Sequence, residues 1–174
     1  MKIFSLTLIC LAFASTGVLN AGEPGNLNPA ATAPAPHCEV PCGIYADELR
    51  FQQMLEDATT IAKSITSINE FAASIGNGGP TAKGINQANR WVTTKENHAT
   101  NTQHIIAQYF LTQRIKADHK DYVGQLATSH RVLVAAMKCK QDSNPATAEA
   151  LKTAIYDLYR AYEGKEPMFE NKTK

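Results

Sequence analysis

The sequence predicts an all-α protein, an antiparallel four-helix bundle set behind a short N-terminal loop dense in donor atoms. Three observations lead there. Residues 47–75 place apolar side chains at steps of three and four in one unbroken stripe, the spacing of a helix with a single buried face. Three later segments repeat that pattern between turn-forming residues, and none shows the alternation of a half-buried strand. The connections are short, which favours antiparallel neighbours.

The first 21 residues read as a signal peptide. Lys2 gives a positive start, and Ile3 to Ala14 form an apolar run of about a dozen residues, where a membrane span needs roughly twenty. Leu19-Asn20-Ala21 supplies the cleavage site, with Leu19 bulkier than usual for its position, and Cys10 leaves with the leader. Export to the periplasm or cell exterior is the expectation, an oxidising location for thiols. Residues 22–36 are rich in Ala, Pro, Asn and Gly and nearly uncharged. Such a stretch cannot bury enough surface to offset its ordering entropy, so it reads as a propeptide or disordered spacer. Its removal is expected, because a retained spacer would hold the His37 amine in an amide. Pro36–His37 does not suit signal peptidase, so a separate processing protease is implied.

The mature domain, residues 37–174, opens on His37-Cys38-Glu39-Val40-Pro41-Cys42-Gly43-Ile44-Tyr45. Cut before His37, this hook offers a free amine, the adjacent Cys38 amide nitrogen and the Cys38 sulfur, which close two fused five-membered chelate rings. Cys42 completes a plane of nitrogen and sulfur donors, Pro41 turns the chain, and the His37 imidazole can bind axially. Flattened N/S sets suit nickel or copper, and thiolates ease electron loss from a redox metal; zinc prefers a tetrahedral set and does not cycle. Tyr45 can cover the open face and donate a hydrogen bond to a small anion. The same spacing in an exported chain also fits a local Cys38–Cys42 disulfide. That alternative makes the protein an exported helical binding or structural module. A copper-handling hook is a third reading.

Helix one, 47–75, carries Leu49, Phe51, Met54, Leu55, Ala58, Ile61, Ile65, Ile68 and Phe71 on its stripe, and Gly76-Asn77-Gly78-Gly79-Pro80 ends it. The spacing predicts helix two over 81–115, with Ile85, Ala88, Val92, Ala99, Ile106, Tyr109 and Phe110 apolar around a polar middle. Asp118-His119-Lys120 connects to helix three, 121–140, which presents Tyr122, Val123, Leu126, Leu133, Val134 and Met137. Asn144-Pro145 reads as a cap followed by proline at the first helical position. Helix four runs to about residue 163, where Gly164 and Pro167 stop it.

Net charge is +1 with both signs interspersed, and no basic run or face points to a nucleic acid or, once the leader is gone, to a membrane. His98, His104, His119 and His130 form no HExxH or paired-metal pattern, and Cys139 reads as a lone thiol. Met54 and Met137 sit at core spacings and read as gap fillers. Lys95, Arg114, Lys116 and Lys120 could steer an anion if the fold brings them together.

The pattern His-Cys-x-x-Pro-Cys-Gly-x-Tyr resembles the nickel hook of the nickel-dependent superoxide dismutases, with each fixed position present. Beyond the hook, the resemblance rests on helix number, length and order and on the runs Arg90…Lys95-Glu96 and Tyr109-Phe110. It implies a homohexamer of four-helix bundles, one nickel ion per protomer, and an N-terminal extension that is removed. It implies His37, Cys38 and Cys42 as metal ligands, Pro41 as the residue that shapes the hook, and Tyr45 with Tyr109 lining the superoxide pocket. One superoxide would reduce Ni(III) and leave as oxygen; a second would reoxidise Ni(II), take up two protons and leave as peroxide. Two positions depart from the family pattern. Glu39 stands where aspartate is common, and Gln53 stands at the helix-one glutamate that helps orient the histidine, with Glu56 a turn away. Arg90 matches the helix-two arginine of that same shell. A neutral glutamine would leave the imidazole a weaker donor.

Overall fold

The computed structural model describes residues 46–77 and 79–169; the leader, the spacer and hook 37–45 lie outside them. The elements are α1 (Glu48–Ser74), a 3₁₀ turn (Ile75–Asn77), α2 (Ala82–His104) continuing into a π-helical segment (Ile105–Arg114), α3 (Tyr122–Gln141) and α4 (Pro145–Glu163). The Asn144 cap and the Gly164 stop follow the sequence signals, and Thr81 adds a third cap. Thr81 accepts a hydrogen bond from the Gly84 amide at 3.1 Å and opens α2. Asn144 accepts from Ala146 at 3.0 Å, with Pro145 at the position whose missing N–H costs nothing. Gly164 closes α4 at φ 67°, a left-handed conformation that favours glycine.

Each helix packs on two neighbours: α1 on α2 and α4, and α3 on α2 and α4. The pairs are antiparallel. Near the start of α1, Asp47 meets Tyr109 beyond the end of α2, whereas Asp57 meets Asn101 earlier in that helix. Asn69 Nδ2 likewise donates to the carbonyl of Ser143, just before α4, at 2.9 Å, while Asp47 meets Tyr162 in its last turn. The expected all-α four-helix bundle is therefore the observed one. Ile61, Ile65, Ile106, Val132, Leu151, Ile155 and Leu158 are completely buried along its axis. At the end where α1 begins, the core turns aromatic. Phe51 lies 4.8 Å from Phe110 and 5.0 Å from Tyr159, ring centre to ring centre, and Tyr162 closes on Phe110 at 5.2 Å.

Three features differ from the sequence expectation. The apolar residues Ile85 and Val92 of α2 are 53% and 40% exposed, and Val123 of α3 is 77% exposed. The buried positions of α2 are the expected Ala99 and, beside it, the polar residues Lys95 and Thr102. Hydropathy misreads this face because its polar groups find partners inside the bundle. Met137 is 40% exposed and fills no core gap, in contrast to the fully buried Met54.

The third difference is the π segment. Its five-residue bonding is carried by Ile115 N to Phe110 O at 2.9 Å, with Thr112 Oγ1 donating to the Ala107 carbonyl at 2.7 Å. A run of this length is unusual, since most π geometry occurs as single-turn bulges, frequently at functional sites. The wider turn rotates side chains out of the α2 register. The consecutive residues Tyr109 and Phe110 are both buried, their rings 84° apart.

Candidate metal centre

The expected ligands His37, Cys38 and Cys42, with Glu39, Pro41 and Tyr45, precede the described residues. What the structure describes is the ground from which the hook springs. Asp47 stands immediately before α1, where aspartate commonly caps the helix with its own carboxylate. Here it makes no such bond. The side chain is about nine-tenths buried and turns to three residues remote in sequence. Tyr109 Oη donates to Oδ1. Tyr162 Oη donates to Oδ2 at 2.6 Å, and Arg114 reaches the same oxygen through Nη2 at 2.6 Å and Nε at 3.1 Å. The forgone cap is worth about 1 kcal/mol, and each charge-assisted bond that replaces it about 1.5–3 kcal/mol.

Burial alone would raise the Asp47 carboxyl, but hydrogen bonds from Arg114, Tyr109 and Tyr162 outweigh it and hold the group below its ordinary 3.8. Tyr109 is pushed up to about 12 by burial and by its bond to Asp47. Tyr162 rises for the same two reasons. Both phenols thus keep their protons at neutral pH, and each donates its single proton to the carboxylate.

These shifts make a pH prediction. A depressed carboxyl stabilises the fold above its unfolded pKa and loses that contribution as pH falls through the folded value. Asp47→Asn should therefore melt earlier than the parent at neutral pH, by an amount equivalent to roughly 2 kcal/mol. The gap should narrow as pH falls below 3.8. The raised Tyr109 acts in the opposite direction, present below 10.0 and lost as pH approaches about 12. Melting curves across this range check both limbs, and a gap independent of pH would contradict the assignment.

The remaining sequence candidates divide. Gln53 is half-buried and accepts from Arg50 Nη1 at 2.9 Å, and the Arg50 guanidinium carbon lies 5.2 Å from the centre of the Tyr109 ring. Gln53 and Tyr109 are thus joined through Arg50. Arg90 is exposed and is not brought to Gln53. The α1–α2 register, set by Asp57 opposite residues 98 to 102, leaves Arg90 on the order of 20 Å further along the bundle axis. The guanidinium beside Gln53 belongs to α1.

The four possible steering cations do not converge. Lys95 is buried, its ammonium donating to the carbonyls of Cys139 at 2.5 Å, Lys140 at 2.7 Å and Asp142 at 3.3 Å. Arg114 is held by Asp47, and Lys116 and Lys120 are exposed. Cys139 is a buried free thiol, pushed up in pKa by that burial. His98 presents Nδ1–H to the buried Asp57 at 2.7 Å, and His119 accepts from the Asp121 amide at 3.1 Å. His104 and His130 are exposed. Among the described residues, no three His, Cys, Asp or Glu side chains are grouped to hold a metal ion, and no helix is long and apolar enough to cross a membrane.

Sequence reasoning did not find Asp47, Arg50 or Tyr162 as parts of one cluster. Asp47 has the signature of a cap, and Tyr162 sits on the apolar stripe of α4; only the fold shows that they meet. Neither a curated protein nor a solved structure matches the chain. The family model of the nickel-containing superoxide dismutases matches residues 30–166, through the hook, the bundle and the aspartate cluster. The chain belongs to the nickel-containing superoxide dismutases, oxidoreductases whose metal is nickel and whose substrate is superoxide.

Proposed function

We propose that the mature chain begins at His37 and dismutes superoxide with one nickel ion per protomer, alternating between Ni(II) and Ni(III) in hook 37–45. The observation that carries this reading is the donor set His37, Cys38 and Cys42 within the region matched by the family. Those donors fit the metal: two thiolates, a terminal amine and a chelated amide nitrogen favour a flattened redox ion over zinc. When bound, nickel supplies a one-electron couple that accepts an electron from one superoxide and returns it to the next.

The protein's own residues do the rest. His37 contributes amine and imidazole, Cys38 its amide nitrogen and sulfur, and Cys42 its sulfur, with Pro41 shaping the loop between them. Tyr45 covers the open face and hydrogen-bonds the incoming anion. Tyr109 donates its hydrogen bond to Asp47, so its oxygen offers lone pairs to the pocket and orders Tyr45 or water there. Arg50 links Tyr109 to Gln53, which supports the His37 ring as a neutral partner. In the cell, a signal peptide over 1–21 directs export to the periplasm or exterior, a processing protease removes 22–36, and six protomers assemble.

Intact mass of the mature protein from nickel-supplied cells tests the proposal. A denatured chain starting at His37, with one nickel per chain retained under native conditions and superoxide dismutated, is the expected result. A chain that starts earlier, holds no metal and is two hydrogens light would replace the redox hook with a disulfide.

A further inference from the structure

The Asp47 cluster joins three separate elements. The carboxylate precedes α1, Tyr109 and Arg114 belong to the π segment, and Tyr162 comes from the last turn of α4. Its two oxygens are used unequally. Among the described residues, Oδ2 receives Tyr162 and both Arg114 nitrogens, whereas Oδ1 receives Tyr109. With Oδ2 held by Tyr162 and Arg114, the carboxylate is oriented, and Oδ1 accepts the Tyr109 hydrogen bond along a set direction. The aromatic wall behind the cluster leaves Tyr162 little room to turn, with Phe51 at 5.9 Å and Phe110 at 5.2 Å.

Asp47 is also five residues from Cys42. A chain that short reaches at most about 18 Å when fully extended, so a fixed Asp47 restricts where the second sulfur can lie.

We propose that Tyr162 is a positioning residue for the nickel site. By holding Asp47 together with Arg114, it fixes both the exit of the hook and the direction of the Tyr109 hydroxyl. The proposal rests on the nickel-hook reading given above. It ties the carboxyl-terminal helix, which carries none of the proposed ligands, to the amino-terminal metal. Tyr162 acts through Asp47 and does not touch nickel or superoxide. A preorganised hook loses its metal slowly, because the ordering of its attachment precedes binding.

The test compares three variants of the nickel-loaded mature protein: Tyr162→Phe, Arg114→Lys and Tyr159→Phe. Tyr159 is a buried tyrosine of the same helix that packs on Phe51 outside the hydrogen-bonded cluster, so its variant controls for loss of a phenol from α4. Tyr162→Phe should load nickel fully, release it to a chelator about tenfold faster, the lower end of what losing a supporting partner costs a metal site, and change the paramagnetic resonance spectrum of the oxidised centre. Arg114→Lys keeps the charge but loses the two-pronged grip, and should move both readouts the same way. It also serves as the test if Tyr162→Phe does not fold. Tyr159→Phe should match the parent. Parental release rates and spectra in both Tyr162→Phe and Arg114→Lys would overturn the positioning role while leaving the hook intact. A parent chain that begins at His37 and binds no nickel would overturn the nickel reading itself.

Discussion

One additional residue ahead of His37 is expected to abolish nickel binding without disturbing the bundle. Extension converts a terminal amine, with a pKa near 7.7–8.0, into a peptide nitrogen that keeps its proton at neutral pH. In the proposed hook this would remove one nitrogen donor, and with it a chelate ring that would help nickel displace the Cys38 amide proton. Loss of an outer supporting partner already costs roughly 10–100-fold in metal affinity; losing a direct chelating donor should cost more. A purified chain with a single alanine before His37 should retain no nickel after dialysis and show no dismutation. Its helical circular dichroism should be unchanged, because among the described residues the buried core begins at Phe51, in the second turn of α1. Stoichiometric nickel and full activity in the extended chain would mean that the amine is not a ligand.

Lys95→Met should be strongly destabilising. Lysine is almost never fully buried unless its ammonium is satisfied, and here the side chain is 4% exposed. Its donors converge on the carbonyls of Cys139, Lys140 and Asp142 at the end of α3, where a helix leaves carbonyls without partners and favours a cation. Methionine preserves most of the apolar stem but donates nothing. Two or more carbonyls would lose their partner at about 1–3 kcal/mol each, for a total of roughly 2–5 kcal/mol. Against a total stability of about 5–15 kcal/mol, that corresponds to a drop on the order of 10 °C in melting temperature. Thermal denaturation measures it directly; a change of less than about 1 kcal/mol would show that water replaces the ammonium at little cost.

The clearest signals in the sequence are local ones. The stripe in α1 from Phe51 to Ile65, the Asn144 cap, the proline at the start of α4 and the glycine at its end each depend on neighbours within a few residues, and the structure has them where the spacing expects them, while Leu49 at the head of the stripe is 55% exposed. The hook is equally local, since its donors fall within six consecutive residues, and the family resemblance rests first on them.

The reading failed where hydropathy stood in for packing. Ile85, Val92 and Val123 look like core residues and face outward, while Lys95, Asp57 and Thr102 look like surface residues and are buried. The buried polar residues share one cause: such a group is tolerated when it meets its partner, and those partners lie 41 or more positions away. The π segment gave no sequence sign either, because its residues are ordinary helix formers and only its bonding pattern is unusual.

By itself, the sequence determined a helical bundle, the place where each helix starts and stops, and a donor set suited to a redox metal. All of these follow from spacing along the chain. Only the tertiary structure decided that Asp47 turns away from its own helix to Tyr109, Arg114 and Tyr162, and that Arg50 rather than Arg90 stands beside Gln53. Those contacts depend on how far each helix is rotated and shifted against its neighbours. Packing of the whole core sets that geometry, and no local pattern in the chain records it.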